Sequence, residues 1–300
     1  MIPPVQSAPV PELPDLDVVA DALHAALAGR AIVDIQAVMP LAVRGTPDEL
    51  SSMAGQAVTR ISRAGKVLVI ALDRDRILFN PMLTGRFQLA SSTEKSTGRV
   101  AVTLAFGPML RPPSDQAPWT VDAAWLPDRA VPACIRYRDP SQMGKVYLLP
   151  AGILRPVPGF GPGEMGPDAL DPALTVDVFR DRIRRHPGEL KNLLRNQAFV
   201  AGIGNAYADE ILFAARLGPF RKRSSLALEE VDALYAAMRS TLSASVELLR
   251  TRVPPHFEKQ VRDHLAVHNR GGEPCPRCGS RITALSAGGM PTGYCRKCQV

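Results

Sequence analysis

Apolar residues first recur at helical spacing in the stretch Val18, Val19, Ala22, Leu23, Ala26 and Leu27, which fall at i, i+1, i+4, i+5, i+8 and i+9, with Gly29 following as a stop. This pattern predicts an amphipathic helix of about four turns. The period then changes. Short runs rich in aliphatic and β-branched residues, 31–38, 66–72, 76–80, 100–106 and 145–149, alternate with Gly, Pro, Asp and Ser clusters, so the first half reads as mostly β. Nine of the 17 residues from 151 to 167 are Gly or Pro, too many for a regular element, which makes this stretch the expected domain boundary. Beyond it the helical period returns over 176–185, 189–195, 206–217 and 228–250. In the third of these helices Tyr207, Ile211, Ala214 and Ala215 share a face, and Gly218-Pro219 ends it.

A chain of 300 residues with 46% hydrophobic content can bury more than one core, and at about 100 to 200 residues per domain the length suggests two domains or a little more. No apolar stretch approaches the roughly 18 residues of a membrane span, and the opening MIPPVQSAPVP has neither a charged nor an apolar signal region. A soluble, cytoplasmic protein is expected. The formal charge is +7, and residues 168–300 hold 20 Lys and Arg against 14 Asp and Glu. A cationic second half suits an anionic polymer, although runs such as 180–185 and 221–223 also read as solvated faces. Between the second and third helices, the turn Gly202-Ile203-Gly204 leads into Asn205, a natural N-cap. It is either a cradle for one backbone phosphate or an ordinary glycine turn between packed helices.

The strongest chemical signal is at the C-terminus. Cys275-Pro276-Arg277-Cys278 and Cys295-Arg296-Lys297-Cys298 are two C-x-x-C pairs separated by 16 residues. Four thiolates at this spacing predict one tetrahedral zinc site with no open position for catalysis, hence a structural Zn2+. Gly279, Gly288, Gly289 and Gly293 suggest a β-hairpin between the knuckles. Two disulfides are the competing reading and require an oxidising compartment. Cys134 is left over as a core thiol.

Taken in order, several motifs resemble the formamidopyrimidine-DNA glycosylase and endonuclease VIII family, which excises oxidised bases. They are Pro11-Glu12-Leu13-Pro14-Asp15-Leu16-Asp17, Arg63-Ala64-Gly65-Lys66, Leu83-Thr84-Gly85, Tyr137-Arg138-Asp139-Pro140, the run 201–210, Arg270-Gly271-Gly272-Glu273-Pro274-Cys275 and the paired knuckles. Their collinearity from residue 11 to the end is more specific than any single motif. The resemblance implies an α+β multidomain fold: an N-terminal β-sandwich with flanking helices (11–150), the Gly/Pro linker (151–167), a helix-two-turn-helix domain (168–262) and a zinc finger (263–300). Residues 1–10 are a leader. The implied partner is double-stranded DNA containing damaged bases or abasic sites, bound by a monomer, with no membrane involved.

The implied chemistry uses Pro11 as an N-terminal secondary amine. It attacks the sugar C1′ to give an iminium that expels the base and permits β-elimination. An α-amino group, with an ordinary pKa of about 8, is partly neutral and nucleophilic at physiological pH. The resemblance makes Glu12 the proton donor and shuttle, Lys66 a contact to the phosphate beside the lesion, and Lys191 and Asn205 grips on backbone phosphates. Leu83, Gln142 and Met143 stand at the positions that fill the gap left by the flipped nucleotide, where the formamidopyrimidine branch has Met, Arg and Phe. For Leu83 and Met143, a place in the core is the alternative.

Three departures shape the expectation. Within the full chain, Pro11 nitrogen is a tertiary amide that cannot form an iminium, and Ile2 opposes removal of Met1. The chemistry therefore requires translation from Val10, cleavage of the leader, or its replacement by DNA binding alone. Val10 directly before the motif favours the first. Met290 replaces the family's phosphate-binding arginine in the finger, so the resemblance does not carry that anchor or a δ-elimination role. The segment from Arg250 to Phe257 is shorter than the loop that caps 8-oxoguanine, so no preference for 8-oxoguanine is expected, and oxidised pyrimidines, formamidopyrimidines and abasic sites stand as equal candidates. The expected function is a bifunctional glycosylase and abasic-site lyase of base-excision repair. Its alternatives are a non-catalytic binder of damaged or abasic DNA and a zinc-ribbon transcription factor, the latter explaining the cysteines but not the opening motif or Lys66.

Overall fold

The computed structural model describes residues 10–91, 99–109, 124–161, 163–287 and 290–300. Leader residues 1–9 and the hairpin glycines Gly288 and Gly289 lie outside them. The chain divides into two compact units. One comprises residues up to 11, then 15–157 and 249–260; the other comprises 12–14, 158–248 and 261–300. The change of unit after residue 157 falls inside the Gly/Pro stretch, but residues 12–14 and 249–260 depart from a simple linear division.

The first helix, α1 (Leu13–Leu27), begins earlier than its periodicity indicated, and Gly29 follows it with φ +82°. Its apolar stripe Val18, Val19, Ala22, Leu23, Ala26 and Leu27 is buried. Next come β1 (Arg30–Ala37), β2 (Val43–Arg44), α2 (Pro47–Ser52), β3 (Val58–Ala64), β4 (Val67–Leu72), β5 (Arg76–Asn80), β6 (Arg86–Ser91), β7 (Val100–Met109), β8 (Ala133–Arg138) and β9 (Lys145–Leu149). They form a four-stranded sheet, β1-β7-β8-β6, and a five-stranded sheet, β2-β9-β5-β4-β3. Phe79 of the second sheet meets Phe87 and Tyr137 of the first with ring centroids 5.3–5.4 Å apart, so aromatic rings fill the space between the sheets.

In the second unit, α3 (Val176–Arg185), α4 (Leu190–Arg195), α5 (Asn205–Ala215) and α6 (Leu228–Arg252, whose last residues belong to the first unit) match the predicted helices to within one or two residues. Thr175 caps α3, accepting from Val178 N–H, and Phe179 packs on Phe199 and Tyr235. The finger is the antiparallel hairpin β10 (Thr283–Ala287) and β11 (Met290–Tyr294) between the cysteine pairs. No helix among the described residues is long and apolar enough to cross a membrane.

Candidate active site and nucleic-acid interface

The cysteines converge. The Sγ atoms of Cys275, Cys278, Cys295 and Cys298 all lie within 4.8 Å of one another, with Cys278–Cys295 at 3.5 Å and Cys275–Cys298 at 3.9 Å. Thiolates about 2.3 Å from a tetrahedral zinc stand about 3.8 Å apart, so the donor set and its spacing fit that ion. Cys134 is a buried thiol elsewhere, donating weakly to Ser91 carbonyl.

Glu12 is 1% exposed, and its carboxylate sits on the first turn of α5, accepting from the N–H groups of Gly204 (2.7 Å), Ala206 (2.8 Å) and Tyr207 (3.2 Å). A helix N-terminus attracts an anion through its unpaired amides and dipole. The glycine turn is therefore a cradle, but the anion in it is Glu12 rather than a DNA phosphate. Gly204, not Asn205, is the residue that caps the helix. A Cβ on Gly204 would stand 2.4 Å from Glu12 Cδ, and one on Gly202, at φ +102°, 2.7 Å from Leu13.

Pro11 is buried and shares a largely apolar pocket with Asp15, Leu16, Phe87, Phe257 and Gln260. Gln260 is fixed at both ends of its amide: Oε1 accepts from Arg86 (2.7 Å) and Nε2 donates to the Val10 carbonyl (3.1 Å). Val253 and Phe257, in the segment expected to be short, and Lys259 and Gln260 after it thus line the space beside Pro11. Lys66 is half-buried in the two-residue Gly65-Lys66 turn that joins β3 to β4, where Gly65 has φ +56°. Arg63 ties this hairpin to α1 by pairing with Asp17 at 3.0 Å.

Leu83 and Met143 are 42% and 46% exposed, so neither is a core residue; Gln142 is exposed too, at φ +57°. Met82, which the sequence reading passed over, stands beside Leu83 at 42% exposure and φ +48°. The β5–β6 and β8–β9 loops that carry these residues are clasped together. Asp139, fully buried, accepts from Thr84 Oγ1 (2.5 Å), Ser141 Oγ (3.0 Å) and Gly144 N–H (2.6 Å). A left-handed backbone at two non-glycine residues in such loops costs on the order of 1 kcal/mol or more each and persists because the clasp over-determines it.

Lys191 departs most from expectation. Only 4% exposed, it pairs with Asp209 Oδ1 at 2.7 Å and donates to Pro291 carbonyl (2.9 Å) and Thr292 Oγ1 (2.8 Å) of the finger. An ammonium has three protons, and these three partners satisfy them internally. Burial pushes its pKa down, and Asp209 pulls it back up. Asn205 Nδ2 likewise donates to Pro291 carbonyl (2.8 Å), leaving a buried Oδ1 with no partner among the described residues. Both residues hold the finger hairpin rather than standing open to solvent. Asp209 also accepts from His268 Nδ1 (2.8 Å) and Gly293 N–H (3.0 Å), while Glu210, its pKa raised by burial, accepts from the N–H groups of Ala266, Val267 and His268.

A β-sandwich, a helix-two-turn-helix and a four-cysteine finger with a glutamate held at the start of α5 define a class of DNA-repair glycosylases. Residues 10–122 match the formamidopyrimidine-DNA glycosylase N-terminal domain, 165–254 the H2TH domain of the same enzymes, and 272–300 the zinc finger found in FPG and IleRS. The formamidopyrimidine-DNA glycosylase of Geobacillus kaustophilus is 31% identical over 97% of this chain and all of its own length; that of Pelotomaculum thermopropionicum is 30% identical over 97% and 99%. The crystal structure of the MutM (Fpg) protein from Thermus thermophilus superposes with a TM-score of 0.77 at 27% identity, covering 96% of this chain and 98% of that one. The chain belongs to the formamidopyrimidine-DNA glycosylase family, the DNA glycosylases of base-excision repair.

Proposed function

We propose that the protein is a bifunctional DNA glycosylase and abasic-site lyase that removes oxidised bases through an iminium on Pro11 and cuts the strand by β-elimination, once Pro11 is the N-terminal residue. The observation that carries this reading is the placement of Glu12. Its carboxylate is held by three amides of one helix turn, so the acid next to the nucleophile in the chain has a fixed position. Pro11 nitrogen attacks C1′, the base leaves, and Glu12 moves the proton at the sugar ring. Lys66, on a turn of only two residues, contacts the flanking phosphate. Leu83, Gln142 and Met143 enter the stack where the nucleotide leaves it. Damaged or abasic duplex DNA is the partner, met by a monomer in the cytoplasm. Cys275, Cys278, Cys295 and Cys298 hold one structural Zn2+.

Borohydride trapping with an abasic-site duplex on protein that begins at Pro11, followed by peptide mass spectrometry, tests the chemistry. A covalent adduct on Pro11 is expected. Tight binding with no adduct would overturn the lyase reading in favour of a non-catalytic binder of damaged DNA. One observation favours that second reading for any chain that retains Val10: its carbonyl is hydrogen-bonded to Gln260, and the amide nitrogen of Pro11 has no nucleophilic lone pair.

A further inference from the structure

Two cations on α4 stand one turn apart on the same helix face, Lys191 and Arg195. The structure treats them differently. Lys191 is buried and its charge is balanced by Asp209. Arg195 is half-buried, and among the described residues its guanidinium pairs with no carboxylate; Nη2 rests on the thioether sulfur of Met290 at the start of β11. A thioether is a weak acceptor and carries no charge, so it leaves the guanidinium's five donors and its positive charge essentially unanswered. Met290 itself is 45% exposed, so the place where the guanidinium rests on it is open to a ligand. The next residues, Pro291 and Thr292, are held in place by Lys191 and Asn205. Met290, exposed, uncharged and followed by two held residues, thus has lying against it a guanidinium that no carboxylate answers among the described residues.

We infer that Arg195, rather than Lys191, is the residue through which α4 takes a DNA backbone phosphate, with Met290 as the support that positions its guanidinium. Lys191 acts one layer further in, fixing the hairpin end on which Arg195 rests. The inference rests on the DNA-binding reading above. A planar guanidinium offers two parallel N–H donors to a phosphate, and such a contact positions the duplex without reading its sequence.

The test is binding of the zinc-loaded full chain to a duplex carrying a tetrahydrofuran abasic-site analogue, followed by fluorescence anisotropy across a salt series. Arg195→Gln is expected to weaken binding several-fold and to make the slope of log affinity against log salt shallower by about 1, equally for damaged and undamaged duplex. Arg195→Lys should keep the wild-type slope. Arg195→Gln combined with Met290→Arg should restore it, because the charge returns to the same place from the other side of the contact. Arg195→Gln with an unchanged slope and affinity would overturn the inference while leaving DNA binding intact. Failure of the wild-type chain to bind the duplex would overturn the DNA reading itself.

Discussion

Asp209 and Asp139 are both buried, at 1% and 0% exposure, and each gathers pieces of chain distant in sequence behind a surface assigned here to DNA. Asp209 faces a lysine, a histidine and one backbone amide; Asp139 is met by two hydroxyls and one backbone amide, with no ion-paired cation among the described residues. The ionic version fastens the finger, whose own core is small: Val267, Ile282 and two of its cysteines beside Phe213 of α5. The neutral-donor version clasps two short loops whose flanking strands already belong to packed sheets. A module gathered round four cysteines thus relies on buried charge for its docking, whereas loops on a sandwich need only their relative position fixed.

The largest effect that separates the two regions is metal removal. Structural zinc supplies on the order of 10 kcal/mol to a finger of this size, so a strong chelator or Cys295→Ser should unfold residues 272–300 and abolish DNA binding. Hydrogen exchange would show the loss confined to the finger, with the sheets still protected. Next comes Asp209→Asn, which leaves Lys191 buried without its counter-ion at a cost of about 3 to 5 kcal/mol, seen as faster proteolysis in the finger and a lower Tm. Asp139→Asn should cost about 1 to 3 kcal/mol, because an amide whose oxygen accepts from Gly144 N–H turns its NH2 to Thr84 and Ser141, so neither hydroxyl can any longer donate to it. Its signature is kinetic: excision from a fully stacked duplex falls more than cleavage at an abasic site opposite a mismatch. Equal losses on both substrates would mean that the clasp is merely structural. Smallest in stability is the pair Leu83→Ala and Met143→Ala, expected within about 0.5 kcal/mol of wild type because both side chains are exposed, yet with the same selective loss on stacked lesions.

The helices and the cysteine site were legible in the sequence because their signals are local. A 3.6-residue period marks one buried face, and C-x-x-C fixes two ligands at a time. Strands β3, β6 and β8 were harder to read, since Arg60, Gln88 and Arg136 interrupt the runs of aliphatic residues that revealed their neighbours. The contacts of Lys191 and Asn205 with the finger were not legible at all, because their partner Pro291 lies 100 and 86 residues away and only the folded chain brings them together. The same holds for the Thr84–Asp139 clasp, although both residues lay inside motifs quoted for the family resemblance. Arg195 carried no motif; a charge four residues after Lys191 on a short helix becomes informative only when, among the described residues, its guanidinium is seen to rest on a methionine.

Gly204 carries a genetic consequence. Every codon change that replaces glycine adds a Cβ, and at this position that carbon would meet the Glu12 carboxyl carbon at 2.4 Å. Any missense mutation at that codon therefore displaces the acid adjoining the proposed nucleophile, so a gene whose product repairs damaged bases holds a site that one unrepaired base can inactivate.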